Sequence, residues 1–222
     1  MTNVTAFLQK SFQPLQSSIL LPLNKVSHFL VKCAKSHTYI ETLGDHADPL
    51  HLWIKKGYEE DFKHAFELQV RKAIKLLGIH SVNLVFDTTD EPFYGSTRSL
   101  YIFNVEGERF DGVFKFISVC ITAKNKQIPL MALPVMVGEG LAKPTIRLLE
   151  YCKTLFKSIR SVVFDRGFYI SQLIDYLEAN SIKYLILVPE KKGKITDFVN
   201  STETLGKFSH EMKYSKEKSC WK

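Results

Sequence analysis

The sequence predicts an α/β protein in which a mixed β-sheet is flanked by helices and preceded by a helical N-terminal region. Three observations carry that expectation. Apolar residues recur at three-to-four spacing up to residue 77 and at strand spacing from residue 81 onward. The strand-like runs that follow come in the order β-β-β-α-β-α-β, which gives a mixed sheet with helices beside it. With 45% hydrophobic and 24% charged residues over 222 positions, the chain has the composition of a globular protein that buries a core.

Residues 1–80 read as helical. Between Tyr58 and Leu77 the apolar positions Phe62, Ala65, Phe66, Leu68, Val70, Ala73, Ile74 and Leu77 form one stripe, and Gly78 supplies a stop. Upstream, residues 20–34 suit another helix and residues 49–54 a short third. Lysines and arginines here are interspersed with acids and make no single basic face, so a DNA-binding element and a bundle that merely packs both remain open.

From residue 81 the pattern becomes that of strands. An apolar run, Val82 to Phe86, reads as a strand closing on Asp87. A loop containing Tyr94, Gly95 and Arg98 follows, then strands at 112–122 and 128–137 joined by a turn at 124–126, together a β-meander. Pro144 to Phe156 reads as a helix, with proline acceptable in the first turn. Ser161 to Asp165 is the next strand, residues 171–179 the next helix and 182–188 a last strand, stopped at Pro189. The stretch 191–222 is polar and lysine-rich and has no evident core.

Two segments carry the chemistry. FDTTDEPFYG at 86–95 sets Asp87 at a strand end beside a hydroxyl-rich turn holding Asp90, and SVVFD at 161–165 ends on Asp165 before Arg166 and Gly167. A carboxylate at a strand terminus is held by a rigid sheet yet reaches solvent. Two on neighbouring strands repel each other and call for a cation. Mg²⁺ prefers carboxylate oxygen and keeps open positions for water and phosphate, and paired divalent ions serve phosphodiester displacement. Aspartates in these places also start turns or cap helices; their matched settings favour the metal site. Asp90 is expected as a partner of that site or a rival for the first position.

The charge balance, 30 Lys plus Arg against 23 Asp plus Glu for a net +7, favours an anionic partner, of which nucleic acid is the commonest. Four cysteines, at 33, 120, 152 and 220, show no CxxC spacing, and the seven histidines are scattered, so no zinc site is expected and the thiols read as reduced. The first residues lack the basic start and apolar core of a signal peptide, and no run has the ~18 apolar residues of a membrane span. A cytoplasmic, nucleoid-associated location follows as the expectation.

The strand order, with one Asp closing the first strand and another the fourth, resembles the ribonuclease H-like fold of DDE transposases. The likeness is greatest to the insertion-sequence transposases of family four. In those proteins the first Asp precedes Thr and then a Tyr-Gly pair, here Asp87, Thr88, Thr89, Tyr94 and Gly95. The second lies in a V-hydrophobic-D-R-G-F-Y pattern, here Val162 to Tyr169 with Asp165, Arg166, Gly167 and Phe168. The resemblance covers residues 81–190 and implies DNA cleavage and strand transfer at element ends. It implies Asp87 and Asp165 as catalytic metal ligands, two Mg²⁺ (or Mn²⁺) ions, element-end and target DNA as partners, and a homodimer on DNA. Arg166 is expected to steady a phosphate, and Tyr94 and Tyr169 to stack on bases or to pack. The family's third acid, a Glu in a pattern of Tyr, two residues, Arg, three residues, Glu, has no counterpart: Tyr214 is followed by Ser215, Lys216, Glu217 and Lys218. The expectation is therefore a C-terminally truncated copy lacking the catalytic Glu, with a non-catalytic DNA-binding remnant or a nuclease of the same fold as alternatives.

Overall fold

A computed structural model describes residues 58–95, 99–105, 110–123 and 126–187, with isolated helical positions at 28, 32, 33, 36, 52 and 55. The chain divides into two compact units, Met1–His80 and Ser81–Lys222. The helices expected at 20–34 and 49–54 and the lysine-rich stretch at 191–222 lie wholly or largely outside the described residues.

In the first unit, α1 spans Glu59–Leu77 and buries Ala65, Val70 and Ile74, positions four or five apart on one stripe. Glu59, Glu60 and Asp61 crowd its first turn, where acidic charge complements the exposed N–H groups. Gly78 ends it in the left-handed conformation (φ 63°), and the Ile79 N–H reaches back to the Ile74 carbonyl at 3.2 Å, closing the last turn as a glycine stop does.

The second unit is built on a six-stranded mixed sheet. Its strands are β1 (Ser81–Phe93), β2 (Ile102–Phe103), β3 (Gly112–Ala123), β4 (Lys126–Pro134), β5 (Ser158–Phe164) and β6 (Tyr184–Ile186). β1 lies between β3, antiparallel to it, and β5, parallel to it, and β6 extends the parallel side. β2 and β4 both pair with the far edge of β3, at its two ends. Helices α2 (Ala142–Leu155) and α3 (Ser171–Ala179) complete the mixed α/β architecture. Three antiparallel strands followed by two parallel ones across the first strand is the ribonuclease H-like order the sequence implied. The two-residue β2 was not expected; it is too short for any pattern to register.

β1 departs most from expectation. It does not stop at Asp87 but continues to Phe93, paired with β3 from Leu84↔Ile121 to Phe93↔Gly112. Beyond Phe86 its other edge has no strand partner among the described residues, because β5 ends at Phe164. DTTDEPF is poor in strand-forming residues, yet acids and a proline are what an open sheet edge accommodates.

The core lies on one face of the sheet. Val82, Leu84 and Phe86 alternate along β1, and with Ile117, Val119, Ile121, Leu130, Val162 and Phe164 they are all nearly inaccessible. α2 packs over β3 and β4 and against α3, contributing Leu148, Leu149 and Cys152, while α3 contributes Leu173, Ile174 and Leu177. Burial pushes the Cys152 thiol up to about 12, so it stays protonated and behaves as a small hydrophobe. On the outer side of the helices Lys153 donates to Glu150 (3.0 Å), Tyr176 (2.8 Å) and Asn180 (2.9 Å), and the Tyr176 hydroxyl donates to Glu150. Those bonds, Tyr176 first and then Lys153, hold the Glu150 carboxyl below its ordinary range.

Candidate active site

The opposite sheet face carries the candidate site. Side chains alternate along β1, so Ser81, Asn83, Val85 and Asp87 point away from the buried set Val82, Leu84 and Phe86. Phe86 pairs with Phe164 at the end of the parallel ladder, and their rings stack at 5.0 Å on the core side. The next residue on each chain is an aspartate. Register therefore sets Asp87 on β1 next to the end of β5, where Asp165 follows directly; the two strands run about 4.8 Å apart, and strand alternation turns Asp87 away from the aromatic core.

Each carboxylate is fixed at one oxygen. Asp87 Oδ1 accepts the Thr88 N–H at 2.8 Å, and Asp165 Oδ1 accepts the Arg166 N–H at 2.6 Å. Asp165 itself is extended (φ −73°, ψ 169°) and caps a single 3₁₀ turn, Arg166–Phe168, whose last N–H returns to the Asp165 carbonyl at 3.1 Å. Phe168 anchors that turn: its ring lies 5.3 Å from Phe164 and 6.5 Å from Phe86, and the three form one buried cluster. Both aspartates are exposed, and the Oδ2 of each makes no hydrogen bond among the described residues. Exposed carboxylates with one oxygen held and the other open are the donor type that a hard divalent cation takes. Among the described residues no group of three His, Cys, Asp or Glu side chains gathers at one point, and the Tyr214 to Lys218 segment lies outside them.

Asp90 does not belong to this site. Three residues beyond Asp87 in a continuous strand it takes the opposite face, and it stands directly across from Lys115, whose ammonium binds its two oxygens at 2.7 and 2.9 Å. The expectation of Asp90 as a metal partner or rival rested on a strand ending at residue 87.

The other expected residues are spread out. Arg166 opens the 3₁₀ turn next to Asp165 and its side chain is exposed; Tyr169 ends that turn, half-buried. Tyr94 follows the far end of β1, seven residues or roughly 23 Å along the strand from Asp87, with its ring edge-on to Phe110 at 6.3 Å. Arg98 lies outside the described residues.

Two neighbours of Asp87 were not anticipated. Ser118 stands directly across from it on β3, and Cys120 one diagonal step away, across from Val85. Burial, then the nearby Asp87 charge, push the Cys120 thiol above its ordinary value. The alternation of β3 placed both on one face, but only the β1–β3 register joins that face to Asp87.

No family model matches this chain, and no curated protein is significantly similar to it. Among solved structures it is similar to a piggyBac transposase in a synaptic complex with hairpin DNA, at 13% identity and a TM-score of 0.42, over 91% of this chain and 44% of that one. The chain thus spans less than half the length of that transposase.

Proposed function

We propose that this chain carries the two-aspartate part of a DDE-type transposase centre, which cuts DNA phosphodiester bonds and transfers strands at the ends of an insertion sequence. The observation that supports the reading best is the parallel register that ends on Phe86↔Phe164, with an aspartate next on each strand. In this reading Asp87 and Asp165 hold divalent cations, Mg²⁺ or Mn²⁺, through their outward oxygens. When bound, such ions activate the attacking hydroxyl and stabilise the charge that builds on the phosphate. Arg166, beside Asp165, orients a phosphate oxygen through its forked donors. A third acid supplied from outside residues 58–187 would complete the set.

The test separates metal from DNA. Titrating Mn²⁺ into the protein and following the free-ion electron paramagnetic resonance signal should show binding that Asp87→Asn and Asp165→Asn each abolish. Nicking of supercoiled plasmid in Mn²⁺ should fall by about 10²–10³-fold in either variant, the usual loss when one electrostatic stabiliser is removed. Asp90→Ala, which touches only the Lys115 pair, should nick at the wild-type rate. Mn²⁺ binding unchanged in both aspartate variants, or a loss of plasmid affinity equal to the loss of nicking, would refute the assignment.

A further inference from the structure

The face that bears Asp87 continues toward the start of β1 and β5 as a polar track. Parallel strand pairs are ordinarily apolar on both faces, yet here only Val85 and Val163 are apolar between the aspartates and the strand starts. Below them Asn83 accepts a hydrogen bond from Ser161 at 3.0 Å, and Ser81 accepts one from Ser158 at 2.8 Å. These positions are exposed or half-buried, in contrast to the sealed opposite face.

Three cations flank the lower half of the track, Lys157 and Arg160 near its start and Lys183 level with Ser161. Lys157 directly precedes β5. Arg160 lies in the bulge between the Val82 and Asn83 pairings and donates to the Ser81 carbonyl at 3.2 Å. The Lys183 carbonyl accepts the Val162 N–H at 2.8 Å, which brings that residue beside β5. By strand alternation Lys183 shares the face of Leu185, the partner of Val163. All three side chains are exposed, and none forms an ion pair among the described residues, whereas Lys115, Arg147 and Lys153 are each matched to an acid. Positive charge left uncompensated on an otherwise polar surface attracts a polyanion.

We propose that Lys157, Arg160 and Lys183 grip the phosphate backbone of a DNA duplex that runs along this track to the carboxylates, an inference that rests on the reading of Asp87 and Asp165 given above. From Ser81 to Asp87 the strand rises roughly 20 Å. DNA carries a phosphate every 3.4 Å on each strand, so the grip spans about four to six nucleotides from the cut, with Lys183 level with Asn83. The serine and asparagine rungs between them offer the neutral hydrogen-bond groups that commonly contact phosphate and sugar.

The experiment measures binding of a fluorescein-labelled DNA duplex by anisotropy across a salt series, in parallel with plasmid nicking. It compares the wild type, Lys157→Ala/Arg160→Ala/Lys183→Ala, Arg160→Lys and Asp87→Asn. Each phosphate contact contributes about 0.9 to the slope of log affinity against log salt, so the triple variant should lose between two and three from that slope and at least about tenfold in affinity at moderate salt. Arg160→Lys, which keeps the charge, should keep the wild-type slope, and Asp87→Asn serves only to show that the nicking depends on Asp87. All three side chains lie at the surface, so the triple variant should keep the wild-type thermal transition. A triple variant with the wild-type slope and affinity would overturn the grip while leaving Asp87-dependent nicking intact. Normal grip without Asp87-dependent nicking would support the track and sink the catalytic reading instead.

Discussion

Asp87 and Cys120 are diagonal neighbours across the β1–β3 ladder, a geometry that puts side chains within roughly 7–8 Å, and the carboxylate charge is one of the two causes that raise the thiol's pKa. The thiolate, not the thiol, reacts with alkylating reagents, so this proximity has a direct readout. Removing the charge isosterically with Asp87→Asn leaves burial as the remaining cause, moves the thiol back toward its ordinary value and raises the thiolate fraction at any pH below it. Alkylation of Cys120 by iodoacetamide, followed peptide by peptide, should therefore run faster in Asp87→Asn than in the wild type. Cys33 and Cys152, both buried, should be unaffected. An unchanged rate at Cys120 would place the carboxylate out of its electrostatic reach. The contrast between Asp87 and Asp90 belongs to this scale too. Three residues apart, they face opposite ways in a strand, and the sequence held that information. It was hidden because Thr88, Thr89 and Asp90 resemble a turn, and alternation means nothing where no strand is recognised.

Elements decide how firmly the aspartates are held. β5 ends in Phe164, Asp165 caps the 3₁₀ turn, and Phe168 at that turn's close returns to the core against Phe164 and Phe86. Replacing Phe168 by Ala removes a ring that is 1% exposed and should destabilise the protein by about 3–5 kcal/mol, measured as a lowered urea midpoint with an unchanged slope. Phe168→Leu, which keeps most of the volume, should cost less and still weaken Mn²⁺ binding relative to the wild type, because the turn that fixes Asp165 Oδ1 loses its anchor. A destabilised Phe168→Leu with wild-type Mn²⁺ affinity would mean that the turn holds itself without the aromatic cluster. By comparison the Lys115–Asp90 pair, with side chains 28% and 48% exposed, should contribute well under about 1 kcal/mol. The span of α3 was legible from its apolar period, and β5 from its run of valine and phenylalanine, although β5 begins at Ser158, three residues before the expected Ser161, because Ser158 to Arg160 carry no apolar run. The extension of β1 from 87 to 93 was not legible. It is held by one neighbour, β3, through pairs such as Asp90↔Lys115 that lie 25 residues apart in sequence, and local pattern carries no trace of a partner that distant.

At the scale of the whole molecule, the order of elements along the chain and the mixed sheet could be read from the alternation of patterns, whereas the order of strands within the sheet was implied only by the family resemblance. The matched settings of Asp87 and Asp165 were legible in the two segments, but the register that joins β1 to β5 was not, because it links residues such as Asn83 and Ser161, 78 apart in sequence, and depends on the packed core and not on either segment. That core draws on residues of the second unit: Phe86, Ile117, Leu130, Phe164, Leu148 and Leu173 are each almost fully buried, and every ladder of the sheet closes between residue 81 and residue 186. About 100 residues with one continuous apolar layer is the size of an ordinary independent domain. A fragment comprising residues 81–222 should therefore unfold in one cooperative thermal transition, give a near-ultraviolet circular dichroism spectrum typical of fixed aromatic rings, and lose Mn²⁺ binding on Asp87→Asn as the full chain does. A fragment with native far-ultraviolet signal but strong dye binding and no near-ultraviolet bands would be a molten globule. In that case the sheet would depend on burial contributed by residues before 81, and the aspartate pair would owe its register to the complete chain.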